Sequence, residues 1–141
     1  MKTLYTEIII NASPEKIWNI LIDFESYSEW NPFVLSIEGK PEVGTKLKVV
    51  LKNGNGTSVF KPNIVSVKVN SAFAWIGSLP LGIFNGHHQF RIEKLNDKEV
   101  KFIQIEEFSG LLANILLKLI GEATKQSFMA MNEALKSKAE K

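Results

Sequence analysis

The stretch "HHQFRIEKLNDKEVKFIQIEEF", residues 87 to 108, decides the fold. In each half of it apolar and polar side chains alternate, as they do along a strand that buries one face. Asn96-Asp97, between the two halves, is a turn signal. Two strands joined by such a short turn pair antiparallel. The sequence therefore predicts a β-hairpin within an antiparallel sheet.

The same alternation decides which histidine points inward. Neighbouring side chains on a strand point to opposite faces, so His87 and His88 cannot bind one ion together. His88 shares a face with Phe90 and Ile92 and is expected to face the interior, whereas His87 faces water. The chain has no other histidine, and a metal site needs several inward ligands. We predict no metal and no cofactor.

The register of the hairpin brings an acid to the inward histidine. If the turn holds Asn96-Asp97-Lys98, Leu95 pairs with Glu99 and His88 lies opposite Glu106, about 5 Å away at Cβ. The two side chains either satisfy each other as buried polar groups or act as a general acid–base pair. The first alternative is favoured because no third group orients the pair. A two-residue turn would shift the register by one and separate them.

Seven strands are expected in all, and Pro62 inside the longest of them indicates a bulge or an edge. The predicted strands are Thr3–Ile10, Phe33–Glu38, Thr45–Lys52, Thr57–Val69, Ala72–Ser78, His87–Leu95 and Glu99–Phe108. Short turns join most of them, which indicates an antiparallel meander.

Helices are expected in three places. Ser13 as N-cap and Pro14 at the first helical position begin the first, and Asp23–Trp30 forms a second, short segment. From Leu111 to about Lys138 apolar residues recur at helical spacing over about 40 Å. An α+β fold follows, in which this long final helix fills the concave face of a curved sheet and leaves a cavity.

Composition narrows the functional classes. At 141 residues, 45% hydrophobic and 23% charged, the chain is expected to form one soluble domain. Its net charge of +2 comes with scattered lysines, so a nucleic-acid surface is not expected. The absence of cysteine excludes thiol chemistry and disulfides. The polar start of the chain and the shortness of the apolar run Leu111–Ile120 predict a cytoplasmic protein without stable membrane insertion.

Four motifs carry a family resemblance: "SEWNPFV", "FAWIG", "GHHQF" and "EEFSGLL". With the element order, they make the chain similar to the START-like superfamily, and within it to small bacterial polyketide cyclase/dehydrase-like proteins with the SRPBCC domain. The residues that match their G-x-H-x-F and E-x-F-x-G patterns are Gly86, His88, Phe90, Glu106, Phe108 and Gly110. The resemblance covers nearly the whole chain and implies a single domain over residues 1–141.

The resemblance also implies a helix-grip fold, a seven-stranded antiparallel sheet wrapped around the C-terminal helix with a hydrophobic cavity between them. This superfamily contains lipid carriers, receptors, quinone-binding proteins, co-chaperones and some cyclases, so the fold does not fix the function.

The cavity is expected to be mostly apolar with a few polar groups. The candidate ligand-binding residues are Trp30, Phe33, Phe60, Trp75, His88, Phe90, Gln104, Glu106, Phe108, Thr124, Phe128 and Met131. The loop "GSLPLGIFNG", Gly77–Gly86, is rich in glycine and apolar side chains, and is expected to form a lid or entrance, or else a dimer contact.

Three functions remain open at this stage. The favoured one is binding or transport of a small hydrophobic ligand, such as a lipid, a sterol-like molecule or a polyketide. The second is a cyclase or dehydratase in which His88 and Glu106 are the catalytic candidates. The third is a protein-interaction module that uses the apolar start of the last helix, where a homodimer is also possible.

Overall fold

The predicted hairpin joins the two longest strands in the computed structural model, which describes residues 2–79 and 82–141. The strands are β1 Lys2–Ile10, β2 Val34–Glu38, β3 Lys48–Asn53, β4 Gly56–Phe60, β5 Asn63–Lys68, β6 Ala72–Leu79, β7 Phe84–Asn96 and β8 Glu99–Ser109. The helices are α1 Pro14–Ile22, α2 Tyr27–Trp30 and α3 Ala113–Ala139, with a 3₁₀ turn at Phe24–Ser26. The α+β class and the long final helix are confirmed.

The hairpin register is the predicted one, although its turn is not. The turn contains two residues, because Asn96 pairs directly with Glu99. An irregularity at Leu95 then shifts the register back by one, so that His88 lies opposite Glu106. A β-bulge of this kind adds one residue to one strand only. The short turn and the bulge compensate, and the inward pair forms as expected.

The strand count is eight in the described part of the chain, one more than predicted. The long run Thr57–Val69 is broken at Pro62, which separates β4 from β5. Proline cannot donate to a strand ladder, so it favours such a break. Strands β1-β8-β7-β6-β5 form one sheet, and β2-β3-β4 form a second. A bridge between Lys46 and Asn63 and a hydrogen bond from Leu47 N to Pro62 O (2.8 Å) connect the two sheets.

Helix α1 begins as its sequence predicts. The Ser13 hydroxyl accepts a hydrogen bond from the Lys16 amide (3.2 Å), which satisfies one free donor of the first turn. Ile17, Trp18 and Leu21 are buried on one face. The chain then turns at Asn31, whose side-chain oxygen accepts from two backbone amides and so orients the start of β2.

Helix α3 has two unlike halves. Phe128, Met131 and Leu135 in the C-terminal half are fully buried against the five-stranded sheet. In the N-terminal half Leu119 is 74% exposed, and Leu111, just before the helix, is 83% exposed. The apolar sequence of this half predicts that it is covered widely or meets a partner, and in the described part of this chain its outer face is open. None of the described helices has the length and apolarity that crossing a bilayer requires.

Candidate functional site

A cavity of about 520 Å³ lies between the sheets and the N-terminal half of α3. This volume falls in the range of small-molecule sites, about 300–1,000 Å³. Eight of the predicted residues line it: Phe33, Phe60, Trp75, His88, Glu106, Phe108, Thr124 and Phe128. That they bind a ligand stays a prediction.

Four predicted residues do not line the cavity. Phe90 and Met131 are buried in the core, where other side chains separate them from the hollow. Gln104 is also fully buried, behind His88, and Trp30 packs on Tyr27 at the edge of the core. Alternation correctly assigned Phe90 and Gln104 to the inner face of the five-stranded sheet. This inner face, however, extends beyond the residues that line the cavity. Part of it is covered by the C-terminal half of α3.

Sequence reasoning missed one wall of the cavity. The end of β3 with the first turn residue, Lys52 to Gly54, and Ser58 on β4 contribute to the lining. These residues are polar and mostly exposed, which in the sequence is typical of an ordinary surface hairpin. They reach the cavity because the second sheet folds over the first, a tertiary effect without a local signal. Since Lys52 to Gly54 are exposed, the cavity opens to the surface here.

Helix α3 supplies the opposite wall. Leu116, Ile120, Ala123 and Ser127 line the cavity together with Thr124. Their spacing of three and four residues is that of one helix face. A second, surface concavity of about 440 Å³ lies near Lys2, Asn114, Leu117 and Lys118, away from the inward histidine.

His88 is held as a neutral side chain by its surroundings. The ring stacks on Phe90 at 4.1 Å between centroids and lies 4.7 Å from Phe128. Burial lowers the pKa of His88 to about 3, because the imidazolium would lose its hydration there. The neighbouring His87, half-buried on the other face of β7, also lowers the pKa, and the hydrogen bond to Gln104 opposes both. The imidazole is therefore uncharged at neutral pH.

Buried amide groups fix the other edge of the His88 ring. His88 Nε2 lies 2.9 Å from the Gln104 side-chain oxygen. The Gln104 amide nitrogen donates to the Phe128 carbonyl (3.2 Å) and to Asn132 Oδ1 (2.7 Å), and Asn132 donates to the Thr6 hydroxyl (3.0 Å). Buried polar groups of this kind need partners, and here they find them in one another. In the sequence, Asn132 among the apolar residues of the stripe was the available signal for this network.

Glu106 occupies space left free by a glycine. A Cβ on Gly86 would lie 2.8 Å from Glu106 Oε2, so a larger residue there would displace the carboxyl group. The Glu106 side chain is 17% exposed, and burial raises its pKa to about 7. Its Oε1 lies 3.8 Å from His88 Nδ1, close enough for an ion pair by distance alone. Because His88 is neutral wherever Glu106 is ionised, the contact is between an imidazole and a carboxyl group, not between two charges.

The segment predicted as a loop is mostly strand. Gly77 pairs with Gly86 across β6 and β7, and Leu79 pairs with Phe84. Gly77 and Gly86 therefore belong to the strand ladder and not to a loop. Pro80, Leu81 and the side chain of Leu79, which also belong to the predicted lid, lie outside the described residues.

The described tip of this β6–β7 hairpin is attached to the start of α3. The amides of Leu111 and Leu112 donate to the carbonyls of Gly82 (3.3 Å) and Ile83 (2.9 Å). Ser78 and Phe84 line the cavity near this end. The entrance role of the hairpin remains a prediction.

Metal ligation finds no support in the arrangement of side chains. Across residues 2–79 and 82–141, His, Asp and Glu do not gather in a group of three or more that could hold an ion. His88 and Glu106 are one nitrogen and one carboxyl group facing each other. What the His88 end of the site offers chemically is a neutral imidazole beside a titrating acid, while the hydroxyl groups of Ser58, Thr124 and Ser127 lie elsewhere in the lining.

Solved structures with the same arrangement of sheet and helix define the class of protein. The aromatase/cyclase ZhuI of Streptomyces sp. R1128 superposes with a TM-score of 0.82 at 12% identity, over 99% of this chain and 93% of that one. Norcoclaurine synthase of Thalictrum flavum gives 0.74 at 15% identity, over 98% and 93%. A START superfamily protein of Mycobacterium smegmatis gives 0.73 at 18% identity, over 96% and 97%. The chain therefore has the START-like fold.

The family follows from the sequence. Residues 1–140 match the family described as polyketide cyclase/dehydrase and lipid transport, and the chain belongs to this family. The family resemblance predicted from the four motifs is thereby confirmed. No curated protein sequence matches the chain. At 12–18% identity the solved structures establish the fold alone.

Proposed function

We propose that residues 1–141 form one domain that binds a small hydrophobic molecule in the cavity and carries or senses it. The observation that supports this most directly is the cavity itself, which has a volume of about 520 Å³ and a mostly aromatic and aliphatic lining. Apolar side chains that line such an open cavity forgo packing contacts, which an apolar ligand would restore. A bound apolar molecule would gain about 25 cal/mol for each Å² of surface removed from water.

The polar groups of the site would orient such a ligand. His88 and Glu106 lie side by side in the lining, while Phe60, Trp75 and Phe128 surround them with aromatic surface. Sites for small molecules commonly combine an apolar wall with a few placed polar groups. A ligand with one polar end and an apolar body fits this distribution.

Binding can be tested by blocking the cavity from the helix side. Ala123 lines the cavity, whereas Ala130 lies on α3 outside it, and both are exposed. We expect Ala123→Trp to reduce binding of the neutral dye Nile red at least tenfold in a fluorescence titration. Ala130→Trp should bind as the parent does, and both variants should unfold at the parent's temperature. Equal binding by all three proteins would refute a role for this cavity.

The natural ligand can be sought directly. Native mass spectrometry of the protein purified from its own host should show a bound mass in the parent that is lost in Ala123→Trp. A bound mass retained by the blocked variant would indicate a site elsewhere.

An enzymatic role is the second candidate, and the pairing of His88 with Glu106 favours it. A neutral imidazole and an acid with a pKa near 7 are suited to exchange protons with a bound carbonyl compound. Cyclase or dehydratase activity on a polyketide-like compound would require that His88→Asn and Glu106→Gln lose turnover sharply and retain affinity. Variants that keep turnover would leave binding as the function.

The exposed face of α3 supports a separate interaction role. Ile115 and Leu119 in α3 and Leu111 just before it are more than half exposed. Contact with a second copy of this chain would cover them. Leu119→Lys should then shift the mass measured by light scattering from dimer to monomer, whereas a parent that is monomeric at high concentration would exclude this role.

A further inference from the structure

The orientation of the Gln104 amide is fixed by an atom that can only accept. Its nitrogen lies 3.2 Å from the carbonyl oxygen of Phe128, and a carbonyl has no hydrogen to offer. The reverse orientation would set two oxygens against each other. A second bond to Asn132 Oδ1 (2.7 Å) supports the same orientation. The Gln104 oxygen is therefore the atom that faces His88.

This orientation determines the tautomer of His88. The Gln104 oxygen accepts, so the nitrogen 2.9 Å from it, Nε2, must carry the hydrogen. In a neutral ring the other nitrogen, Nδ1, then has a free lone pair. Nδ1 is on the side of Glu106, 3.8 Å from its Oε1, and both residues line the cavity. The inner end of the cavity thus presents a hydrogen-bond acceptor held in place by three buried residues.

Charge in the lining is sparse and unevenly placed. Lys52 and Glu106 are the charged side chains among the described lining residues, and Lys52 lies at the exposed β3–β4 turn. Apart from the exposed Lys52, the described lining contains no arginine or lysine. A ligand carboxylate placed here would meet a lone pair and an acid without a compensating cation, and a buried unpaired charge is costly.

We propose that the cavity selects ligands whose polar end is a neutral hydrogen-bond donor, an alcohol or phenol hydroxyl, and discriminates against carboxylates. The hydroxyl donates to His88 Nδ1, and its oxygen lies within reach of the Glu106 carboxyl group. This inference rests on the proposed binding function and specifies the ligand class for the same site. Among hydrophobic ligands it favours sterol-like and phenolic molecules over fatty acids.

The tautomer can be tested without any ligand. Because the chain has two histidines, ¹⁵N-histidine labelling gives two imidazole spectra, and His87→Gln assigns them. At pH 7.5 we expect His88 to show a protonated Nε2 and an unprotonated Nδ1. A protonated Nδ1, or a doubly protonated ring, would overturn the proposal.

Ligand selection can be tested with three probes that share one ring system and are similar in size: 2-naphthol, 2-methoxynaphthalene and 2-naphthoate, titrated at pH 7.5. One hydrogen bond to a neutral acceptor corresponds to about a five- to tenfold preference, which we expect for naphthol over the methyl ether. Naphthoate should bind most weakly. Equal binding of naphthol and its ether, or tightest binding of naphthoate, would refute the proposed preference for a neutral hydrogen-bond donor (the donor rule) while leaving the binding function intact.

The variant His88→Phe tests the donor rule separately from the proposed binding function. His88→Phe keeps an aromatic ring at this position and removes the acceptor, so it should bind naphthol and the ether with equal affinity. A naphthol preference retained by a folded His88→Phe protein would contradict the proposal. If the variant does not fold, the parent titrations and the tautomer measurement decide. Failure of the parent to bind Nile red and all three naphthalenes would refute the proposed function itself, and the donor rule with it.

Discussion

Replacing Glu106 with glutamine should stabilise the protein, and the gain should depend on pH. In the folded protein the carboxyl group holds its proton up to about pH 7, whereas the unfolded chain releases it near the ordinary value of 4.5. Between these values the folded state binds more protons, so raising the pH favours unfolding. At about 1.4 kcal/mol for each tenfold change in proton affinity, the full cost above pH 7 is about 3 kcal/mol.

His88 acts in the opposite direction. Its folded form stays neutral down to about pH 3, whereas the unfolded form takes up a proton below 6.5, so raising the pH through this range favours folding. From about pH 4.5 to 6.5 the two effects oppose each other in the parent protein. In Glu106→Gln only the histidine effect remains, and stability should rise with pH by up to about 1.4 kcal/mol per pH unit.

The assay is urea unfolding of the parent and of Glu106→Gln at pH 4.5 and pH 8. The difference between the two proteins cancels the contributions of other titrating groups. We expect near equality at pH 4.5 and a more stable variant, by up to about 3 kcal/mol, at pH 8. Glu107→Gln, on the opposite face of β8, controls for the loss of one negative charge. A stability difference that is the same at both pH values would refute the assignment of a buried, neutral-prone Glu106.

Three further predictions concern packing and backbone. Met131→Ala should lower the free energy of unfolding by about 2–5 kcal/mol, because Met131 is fully buried. Met129 is 44% exposed, so Met129→Ala should change this free energy by less than about 0.5 kcal/mol. Similar losses in the two variants would contradict the placement of α3. Gly86→Ala should push the Glu106 carboxyl group aside, because the new Cβ would lie 2.8 Å from Oε2, and the titration of Glu106 followed by NMR should shift. Gly56→Ala, whose Cβ would meet one atom at 3.8 Å, should leave that titration unchanged. An unshifted Glu106 titration in Gly86→Ala would be evidence against the close contact. Gly110→Ala should reduce the melting temperature, because Gly110 has a positive φ of 106° and a Cβ there would lie 2.7 Å from the Ile83 carbonyl oxygen. An unchanged melting temperature would disprove this geometry.

Much of the fold could be predicted because it depends on local patterns. The N-cap at Ser13, the alternation along β7 and β8 and the helical stripe of α3 all have short-range physical causes. The sequence predicted a bulge or an edge at Pro62, and the strands on either side of it, β4 and β5, are edge strands that belong to two different sheets. That outcome depends on how the second sheet folds over the first, which no local pattern records.

The candidate site was predicted where alternation and register sufficed. His88 and Glu106 face each other as expected, although the two-residue turn would have separated them without the bulge at Leu95. The predicted register is correct because two features that were not predicted, the two-residue turn and the bulge at Leu95, compensate each other. The bulge has only a weak signal in the sequence. The extent of the cavity could not be predicted, because it depends on which part of the inner face α3 covers. For that reason Phe90 and Met131 lie in the core and not among the residues that line the cavity, whereas Ser58 lines it without having been predicted.

The two halves of α3 have different roles: the C-terminal half contributes most to the stability of the fold, and the N-terminal half contributes most to the cavity lining. Between 113 and 124 the fully buried residues are Ala113 and Gly121, whereas Leu116, Ile120 and Thr124 line the cavity. Substitutions at these lining positions can reshape the chamber without touching the anchor formed by Phe128, Met131 and Leu135. Related proteins with such a helix can change their ligand while they keep the same fold. Positions 113 to 124 are therefore the ones to randomise when this protein is redesigned to bind a chosen molecule.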